Sequence, residues 1–255
     1  MSPTPEFRVG VDIGGTFTDL VCLNETTGQV TNHKVPSTPP TFIEGVMEVL
    51  SMAIANPKEM TTFRHGSTIA TNAILERKGA NTGLVTTEGF RDILEGARGE
   101  RPDVFDLTWD PAPPLVPRYN RQTVSERISF EGDVTTPLKE SELKKIARIF
   151  RKRGIESIAI CFINSFMNPK HEQRAKEILS KSFPNAYLCT SSDVFPEIRE
   201  FERTSTTTVN AYLGPIVDRY LTDLESRTKA WGFVGNVLII HSGGGVMSTK
   251  LARTI

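Results

Sequence analysis

Two features are missing from this sequence: a net charge and a long apolar run. Its 255 residues carry 30 Lys and Arg against 30 Asp and Glu, so the formal net charge is zero. Nucleic acids and anionic membranes select basic surfaces, and this balance argues against both as partners. No apolar run approaches the roughly 20 residues needed to cross a bilayer. A hydrophobic fraction of 38% and a charged fraction of 24% instead predict a soluble globular protein.

Cysteine is also scarce, and the chain begins without a recognisable export signal. The three cysteines, Cys22, Cys161 and Cys189, are scattered through apolar, strand-like contexts. Their spacings are not those of metal ligands and their number is odd, so we expect buried thiols. The first residues, Met-Ser-Pro-Thr-Pro-Glu, lack the basic and apolar regions of a signal peptide. We therefore expect a cytoplasmic protein, in a reducing compartment.

A glycine pair between two short apolar runs is the strongest local signal that is present. Residues 7–13 form an apolar run with Asp12 near its end, and a second run, 20–23, follows soon after Gly14-Gly15. This pattern predicts a tight strand–turn–strand. Glycine lets the backbone approach a ligand closely, and successive amides in such a turn can bind phosphate oxygens.

The side chains around the turn suit a nucleotide phosphate. Thr16 and Thr18 would add hydroxyl donors, and Asp12 would lie where a carboxylate can hold a hydrated Mg²⁺ or orient water. The motif is not a Walker loop, and because a strand follows it, a dinucleotide-binding fold is disfavoured. An ordinary hairpin, with Asp12 and Asp19 as solvated turn residues, explains the same spacing. On spacing alone both interpretations stay open.

The stretch Asp12-Ile-Gly-Gly-Thr-Phe-Thr-Asp19 resembles the first phosphate motif of the actin/Hsp70/sugar-kinase ATPase superfamily. More narrowly, it resembles the amino-terminal domain of the hydantoinase A/5-oxoprolinase family, which includes the ATP-using subunits of acetone and acetophenone carboxylases. Residues 65–79, 86–92 and 202–215 resemble the same family, in the same order. Similarity over nearly the whole chain favours the nucleotide-binding interpretation.

The order of apolar patterns predicts an α/β fold. Three antiparallel strands and then a helix would open a ribonuclease-H-like (actin-like ATPase) lobe with a mixed sheet, and a second α/β unit and the start of a second lobe would follow. We place residues 1–198 in a hydantoinase/oxoprolinase N-terminal α/β region and 199–255 in a connector helix and the beginning of the second ATPase lobe. The main elements are expected over 7–13, 18–24, 28–35, 62–65, 81–87, 119–130, 155–162, 186–190 and 236–241 as strands, and over 41–55, 67–78, 90–95, 138–152, 169–183 and 201–230 as helices.

Polar residues outside the turn are further candidates for a cleft. A predicted strand runs into a predicted helix after residue 65, and this places polar side chains at the carboxyl edge of a sheet, where open α/β folds bind ligands. Capping and packing of that helix explain the same residues without a ligand. The resemblance also implies that an irregular segment of the chain lies near the substrate or a partner subunit. A cluster of salt bridges at the surface explains the charged residues of this segment equally well. The candidates are His65, Thr68, Thr71 and Asn72 at the sheet edge, Arg98, Arg101 and Asp106 in the irregular segment, and Glu202 and Arg203 in the connector.

The resemblance implies an enzyme that uses ATP and Mg²⁺ to phosphorylate a carbonyl oxygen. The substrate would be a cyclic amide or imide (5-oxoproline, hydantoin or a lactam) or a ketone, and hydrolysis or carboxylation would follow. Asp12 and Thr16 would be catalytic, with Asp12 also orienting the metal. The implied nucleotide-binding residues are Gly14, Gly15, Thr16, Phe17 and Thr18.

The resemblance also implies partners. These are a hydantoinase B-like subunit and the rest of the ATPase, in the same or another chain, and we expect weak ATP binding without them. Gly243 stands where the family often has Asn, so one hydrogen-bonding side chain is lost there. Two alternatives stay open: a sugar-kinase-like phosphotransferase, and a non-catalytic interaction or regulatory module that retains one lobe.

Overall fold

The computed structural model describes residues 6–99, 103, 105–106 and 108–253. The chain divides into two compact units. We call Met1–Lys78 with Ile216–Ile255 the terminal unit, and Gly79–Pro215 the inserted unit. No helix within the described ranges is both long and apolar enough to cross a membrane.

Strands and helices alternate along most of the chain. The strands are β1 (Phe7–Ile13), β2 (Phe17–Asn24), β3 (Val30–Pro36), β4 (Met60–Ser67), β5 (Thr82–Thr87), β6 (Arg121–Val124), β7 (Arg127–Ile128), β8 (Val134–Thr136), β9 (Ser157–Cys161), β10 (Tyr187–Thr190), β11 (Val237–Ile240) and β12 (Val246–Ser248). The helices are α1 (Ile43–Ala53), α2 (Ile69–Leu75), α3 (Ile93–Gly96), α4 (Glu140–Lys152), α5 (Lys170–Ser182), α6 (Ser191–Val194), α7 (Glu200–Trp231) and α8 (Thr249–Ala252). Most expected elements are therefore confirmed to within a few residues.

The terminal unit contains a mixed six-stranded sheet in the order β12-β11-β4-β1-β2-β3. β1 pairs antiparallel with β2 and parallel with β4, and β2 pairs antiparallel with β3, so the predicted antiparallel opening is confirmed. Helix α1 packs on this sheet because Val46, Val49 and Leu50 recur at helical spacing, and all three are fully buried. Burial of each contributes about 2 kcal/mol.

The alternation of β1 decides which side chains face solvent. Val9, Val11 and Ile13 lie in the core, whereas Asp12 lies on the exposed face. In the register of the sheet, Asp12 stands opposite Asp19 of β2 and Gly66 of β4. The Asp12 side chain and the core side chains therefore lie on opposite faces of the same strand.

The inserted unit contains a parallel four-stranded sheet in the order β10-β9-β5-β6. Every residue of β5 and β9 is buried, as expected for central strands of a parallel sheet. Helix α4 has a buried stripe, Leu143, Ile146, Ala147 and Phe150, that packs into the same core as Ala175 and Leu179 of α5. The predicted second α/β unit is thus present.

One predicted strand is wrong. Residues 119–130 were expected to form a single strand, but β6 ends at Val124 and β7 begins at Arg127. β6 pairs with β5 in the parallel sheet, whereas β7 pairs with β8 in a separate two-stranded ribbon. Glu126 lies between them and is buried. The apolar alternation of the sequence continues across the break between β6 and β7. The break arises because the two strands pair with different partners, and local sequence does not show it.

Helix α7 explains the run of hydroxyl residues that the sequence places in it. Thr207 Oγ1 donates to the carbonyl of Arg203 at 2.7 Å, and Thr208 Oγ1 donates to that of Ser205 at 2.8 Å. Thr207 and Thr208 are buried, so their hydroxyls are satisfied inside the helix. Burial inside the helix packing and bonding to their own helix therefore account for these two threonines.

Candidate functional site

The turn between β1 and β2 is closed by its own backbone and leaves two amides open. The amide of Gly14 donates to the carbonyl of Phe17 at 2.9 Å. The amides of Gly15 and Thr16 have no hydrogen-bond acceptor in the described part of the chain, and both residues are exposed. Ser37 braces the turn from behind, because its hydroxyl donates to the Gly14 carbonyl at 2.8 Å and its amide donates to the Thr16 carbonyl at 2.8 Å. Two adjacent open amides can receive an anion.

The Asp12 carboxylate lies over β4 beside this turn. A Cβ on Gly66 would come within 2.8 Å of Asp12 Oδ1, so the absence of a side chain at residue 66 makes room for the carboxylate. Asp12 accepts no hydrogen bond from the described residues. Its register partner Asp19 is instead paired with Lys34, at 2.8 Å. Asp12 is therefore the carboxylate of this pair that is left for a ligand.

The start of α2 lies against the same turn. Thr68 donates to the carbonyl of Ile13 through both its amide and its hydroxyl, each at 3.1 Å. Asn72 Nδ2 donates to Thr68 Oγ1 at 3.3 Å, and a Cβ on Gly15 would lie 3.6 Å from the same Nδ2. Thr71 is exposed on the same helix. The structure thus brings Thr68 and Asn72 to the Gly14-Gly15 turn.

Two expected site residues of the terminal unit lie elsewhere. Thr18 is fully buried on the core face, with its hydroxyl 3.2 Å from that of Ser37, so it is not among the donors beside Asp12. His65 was expected to line a cleft but is a core residue, with Nε2 2.7 Å from the hydroxyl of Tyr220. Burial lowers the pKa of His65 to about 4. Both corrections arise because these side chains stand on the α1 side of their strands.

Phe17 and Thr16 remain at the surface of the turn. Phe17 is 44% exposed, and the ammonium of Lys34 lies 4.7 Å from the centroid of its ring. The same ammonium pairs with Asp19, so the ring and that carboxylate share one cation. Sequence reasoning missed this lysine, since nothing in its local pattern distinguishes it from other strand residues.

The remaining candidates belong to the inserted unit. Arg98 Nε donates to Glu202 Oε1 at 2.7 Å, in an ion pair at the surface. Arg101 lies outside the described residues. Asp106 accepts hydrogen bonds from the amide and hydroxyl of Thr108, which lower its pKa. The ion pair thus joins two of the candidates, Arg98 and Glu202, across 104 residues of sequence, whereas the contacts of Asp106 are local.

Arg203 of α7 is fully buried at the carboxyl end of β9. Its Nη1 lies 3.7 Å from Glu172 Oε1 and donates to the hydroxyls of Ser165 and Ser191. Its Nη2 donates to the carbonyl of Phe162 at 2.5 Å. These contacts make Arg203 part of a buried structural network. Arg203 was expected to lie in a connector helix. Helix α7 does run from one unit into the other, since it contains residues 200–215 of the inserted unit and 216–231 of the terminal unit.

A metal at Asp12 would depend on water and phosphate for most of its ligands. No group of three His, Cys, Asp or Glu in the described ranges could hold a metal ion alone. Mg²⁺ is commonly held by one or two carboxylates plus waters and substrate phosphates, so a single exposed carboxylate next to an anion-binding turn fits it. The three cysteines are buried free thiols and offer no nucleophile, because burial raises the pKa of Cys161 and Cys189 to about 12.

Comparison with known protein families matches almost the whole chain. A sequence model described as the hydantoinase/oxoprolinase N-terminal region matches residues 8–183. A second, described as hydantoinase/oxoprolinase, matches residues 203–255. The residues of the turn, the Asp12 strand and α2 all fall within the first match.

Individual relatives are similar over nearly all of this chain. Caprolactamase subunit alpha from Pseudomonas jessenii is 36% identical over 258 residues, which cover 97% of this chain and 37% of that subunit. 5-Oxoprolinase 1 from Arabidopsis thaliana is 31% identical over 277 residues, which cover 94% of this chain and 21% of that protein. The chain therefore spans little more than a third of the length of the first relative, and less of the second.

Two solved structures have the same fold. Nucleotide-free acetone carboxylase superposes with a TM-score of 0.85 at 26% identity, over 99% of this chain and 38% of that one. ATP-dependent caprolactamase from Pseudomonas jessenii superposes with a TM-score of 0.83 at 35% identity, over 95% of this chain and 36% of that one.

Proposed function

We propose, from the premise that the chain belongs to the hydantoinase/oxoprolinase family, that it is part of an ATP-dependent enzyme that phosphorylates a carbonyl oxygen. The substrate class is a cyclic amide or imide, or a ketone. Support comes from relatives whose names state such substrates: 5-oxoprolinase, caprolactamase and acetone carboxylase. Two of them are described as ATP-dependent.

The terminal unit is proposed to be the ribonuclease-H-like lobe of this ATPase. In favour of this assignment, β1, β2 and β3 are antiparallel neighbours, α1 follows, and β4 then returns parallel to β1. β11 continues the sheet parallel to β4. This order places the β1–β2 turn and the start of α2 at one end of the sheet.

One observation supports this proposal above all. Two amides without an acceptor among the described residues lie beside the Asp12 carboxylate, which accepts no hydrogen bond from those residues. The free amides of Gly15 and Thr16 and the hydroxyl of Thr16 would hold the β- and γ-phosphates, and Asn72 would lie at the edge of that cradle. Asp12 would orient the water shell of Mg²⁺, which neutralises charge on the phosphates. Thr18 would act only behind the turn, through Ser37.

Phosphorylation makes an inert carbonyl reactive. The carbonyl oxygen forms a bond to the γ-phosphorus as the bond to the bridging oxygen of ADP breaks. With an amide or imide, water adds to the activated carbon, the C–N bond breaks as the nitrogen takes up a proton, and hydrolysis of the resulting acyl phosphate releases phosphate that keeps the former carbonyl oxygen. With a ketone, loss of a proton from the neighbouring carbon gives an enol phosphate, and carbon dioxide adds to that carbon as water takes up the phosphoryl group. Positioning and charge stabilisation supply most of the catalysis in such transfers, and a turn with fixed amides suits that role because it does not reorganise during the reaction.

A partner subunit of the hydantoinase B type is proposed to contribute to the second step. This rests on relatives that are themselves subunits of larger enzymes, such as caprolactamase subunit alpha and the beta subunit of acetone carboxylase.

Oxygen labelling tests the proposed chemistry directly. The natural assembly that contains the chain would be given Mg·ATP and a lactam or cyclic imide with ¹⁸O in the carbonyl, and the released phosphate would be analysed by mass spectrometry. Carbonyl phosphorylation transfers the label to phosphate. A sugar-kinase-like enzyme would leave phosphate unlabelled and would phosphorylate a sugar hydroxyl in a parallel screen.

A pair of matched variants locates the site. Asp12→Asn removes the carboxylate proposed to orient the metal shell, and Asp19→Asn changes the opposite residue, whose charge is already paired with Lys34. We expect Asp12→Asn to lower ATP turnover at least about a hundredfold and Asp19→Asn to change it less than about threefold. Equal turnover in Asp12→Asn and the parent protein would remove Asp12 from the mechanism.

A further inference from the structure

The inserted unit buries a guanidinium whose ends have no acceptor. Arg121, the first residue of β6, is fully buried, and its Nε donates to the carbonyl of Val116 at 2.8 Å. Its Nη1 and Nη2 have no hydrogen-bond acceptor among the described residues. Glu95 Oε1 lies 3.3 Å from Nη1, which makes an ion pair but not a hydrogen bond. Buried donors without acceptors are rare in folded proteins, and a bound ion is one explanation for them.

The neighbours of Arg121 add positive charge and another open donor. Arg91 Nη2 donates to the carbonyl of Arg118 at 3.1 Å, but Arg91 Nε is buried without an acceptor. Arg118 is fully engaged by Asp92, through two hydrogen bonds of 2.8 and 2.9 Å. The pKa of Asp92 lies below its usual range, chiefly because of the hydrogen bond from Arg118 and in part because Arg91 and Arg121 are close. Arg118 and Arg121 are thus each paired with one carboxylate, and Arg91 adds positive charge near Asp92.

We propose that Arg121, with Arg91 beside it, binds the carboxylate of a small organic acid, and that Glu95 fills this place when no acid is bound. Two Nη–H groups of one guanidinium match the two oxygens of a carboxylate. The Arg118–Asp92 pair a few residues away is also held by two hydrogen bonds, although these come from Nε and Nη2. Glu95 makes no hydrogen bond to either Nη group, so an external carboxylate makes the better partner.

The carboxylate beside Arg121 is itself exposed. The Glu95 side chain is 42% exposed, whereas that of Arg121 is fully buried. An external carboxylate would reach Nη1 by displacing the Glu95 side chain. This arrangement makes Glu95 a competitor of the ligand, and removal of its charge is expected to strengthen ligand binding.

The proposal does not depend on ATP chemistry, so it is tested without nucleotide. Benzoate is the probe, benzamide is its uncharged counterpart of the same shape, and inorganic phosphate is a tetrahedral anion. Dissociation constants are measured by NMR titration of the ¹⁵N-labelled chain. The variants are Glu95→Gln, Arg121→Lys, which keeps the charge but loses the two-pronged geometry, and Arg148→Lys, the same change at an exposed position of α4.

We expect saturable binding of benzoate that benzamide does not reproduce. Glu95→Gln should bind benzoate about tenfold more tightly than the parent chain, Arg121→Lys at least about tenfold more weakly, and Arg148→Lys with unchanged affinity. The shifted amides should include those of β6 and α3.

Three outcomes would overturn the proposal. The first is the absence of benzoate binding in both the parent chain and Glu95→Gln. The second is binding that Arg121→Lys leaves intact, and the third is phosphate binding as tight as that of benzoate, which would mean a general anion site. If Arg121→Lys does not fold, as judged by circular dichroism, the comparison of Glu95→Gln with the parent chain decides, because both retain Arg121.

Discussion

At the carboxyl end of β1 in the terminal unit, Asp12 is exposed and accepts no hydrogen bond from the described residues, whereas at the carboxyl end of β9 in the inserted unit, Glu172 and Arg203 are fully buried. Glu172 accepts from the amides of Phe162 and Ser192, at 2.8 and 2.9 Å. It also accepts from two serine hydroxyls. Both clusters, the one around Asp12 and the one around Glu172 and Arg203, place a carboxylate at the carboxyl end of a strand. The first carboxylate is exposed and the second is buried.

The contrast separates polar groups that hold the fold from polar groups that await a ligand. A buried carboxylate with four donors and a guanidinium beside it has exchanged its water for protein partners, and loss of one partner leaves a charge stranded. An exposed carboxylate beside open amides keeps its water and can exchange it for a metal or a phosphate. Substitutions in the Glu172–Arg203 cluster should therefore affect stability, and substitutions around Asp12 should affect function.

Arg203→Ala is expected to have the largest effect on stability. It leaves the Glu172 carboxylate buried without its cation, and such losses cost about 3–5 kcal/mol. The free energy of opening would be measured from hydrogen exchange of the β9 amides. Arg148→Ala, at an exposed position of α4, is the control and should change this free energy by less than about 0.5 kcal/mol. A loss below about 1 kcal/mol for Arg203→Ala would mean that the buried cluster does not stabilise the fold in the way proposed.

Acidification should weaken the terminal unit through His65. Its pKa falls from the ordinary 6.5 to about 4 in the folded chain because of burial, so between these values the unfolded state binds a proton that the folded state does not. Stability is therefore complete above pH 6.5 and is lost as pH falls, by about 3 kcal/mol between pH 7 and pH 4.

Urea unfolding across this pH range measures the effect. His65→Gln should remove that part of the pH dependence, and His33→Gln, at a half-buried position of β3, should leave it in place. Identical slopes for the parent chain and His65→Gln would show that the imidazole does not titrate as its burial implies.

Gly66→Ala tests whether the room around Asp12 matters for function. A Cβ there would come within 2.8 Å of Asp12 Oδ1, and the carboxylate, which ends a short mobile side chain, would move aside. We expect ATP turnover in the natural assembly to fall at least about tenfold while the unfolding free energy changes by about 1 kcal/mol or less.

Gly10→Ala is the matched control for that substitution. Gly10 is a residue of the same strand as Asp12, on the same face, and a Cβ at this position meets no heavy atom within 4 Å. It should keep full turnover. Equal losses in Gly66→Ala and Gly10→Ala would assign the effect to the sheet and not to the carboxylate.

The sequence predicts what local pattern controls and fails where tertiary contacts decide. The glycine pair, the acid before it and the apolar alternation identify the β1–β2 turn, and the helical spacing of the α1 core residues identifies that helix. The local sequence does not show which face of a strand is covered, and for this reason it did not reveal that Thr18 and His65 are buried.

Buried charges are the hardest features to foresee. Arg and Glu are seldom fully buried, yet Arg121 and Glu172 both are. Only the pairing of distant segments, such as residues 95 and 121 or 172 and 203, shows what they contact. The break between β6 and β7 has the same origin, since the alternation of the sequence does not stop there.

Asp12→Asn should have the smallest effect on stability, and it is the sharpest test of the contrast between the two clusters. The side chain is exposed, no described residue donates to it, and the substitution keeps its size, so the unfolding free energy should change by less than about 0.5 kcal/mol. Asp19→Asn removes a surface ion pair with Lys34 and should cost no more than about 1 kcal/mol. Both are measured by urea unfolding at pH 7. A cost above about 1 kcal/mol for Asp12→Asn would mean that the acid supports the sheet, and the two clusters would then differ in exposure but not in role.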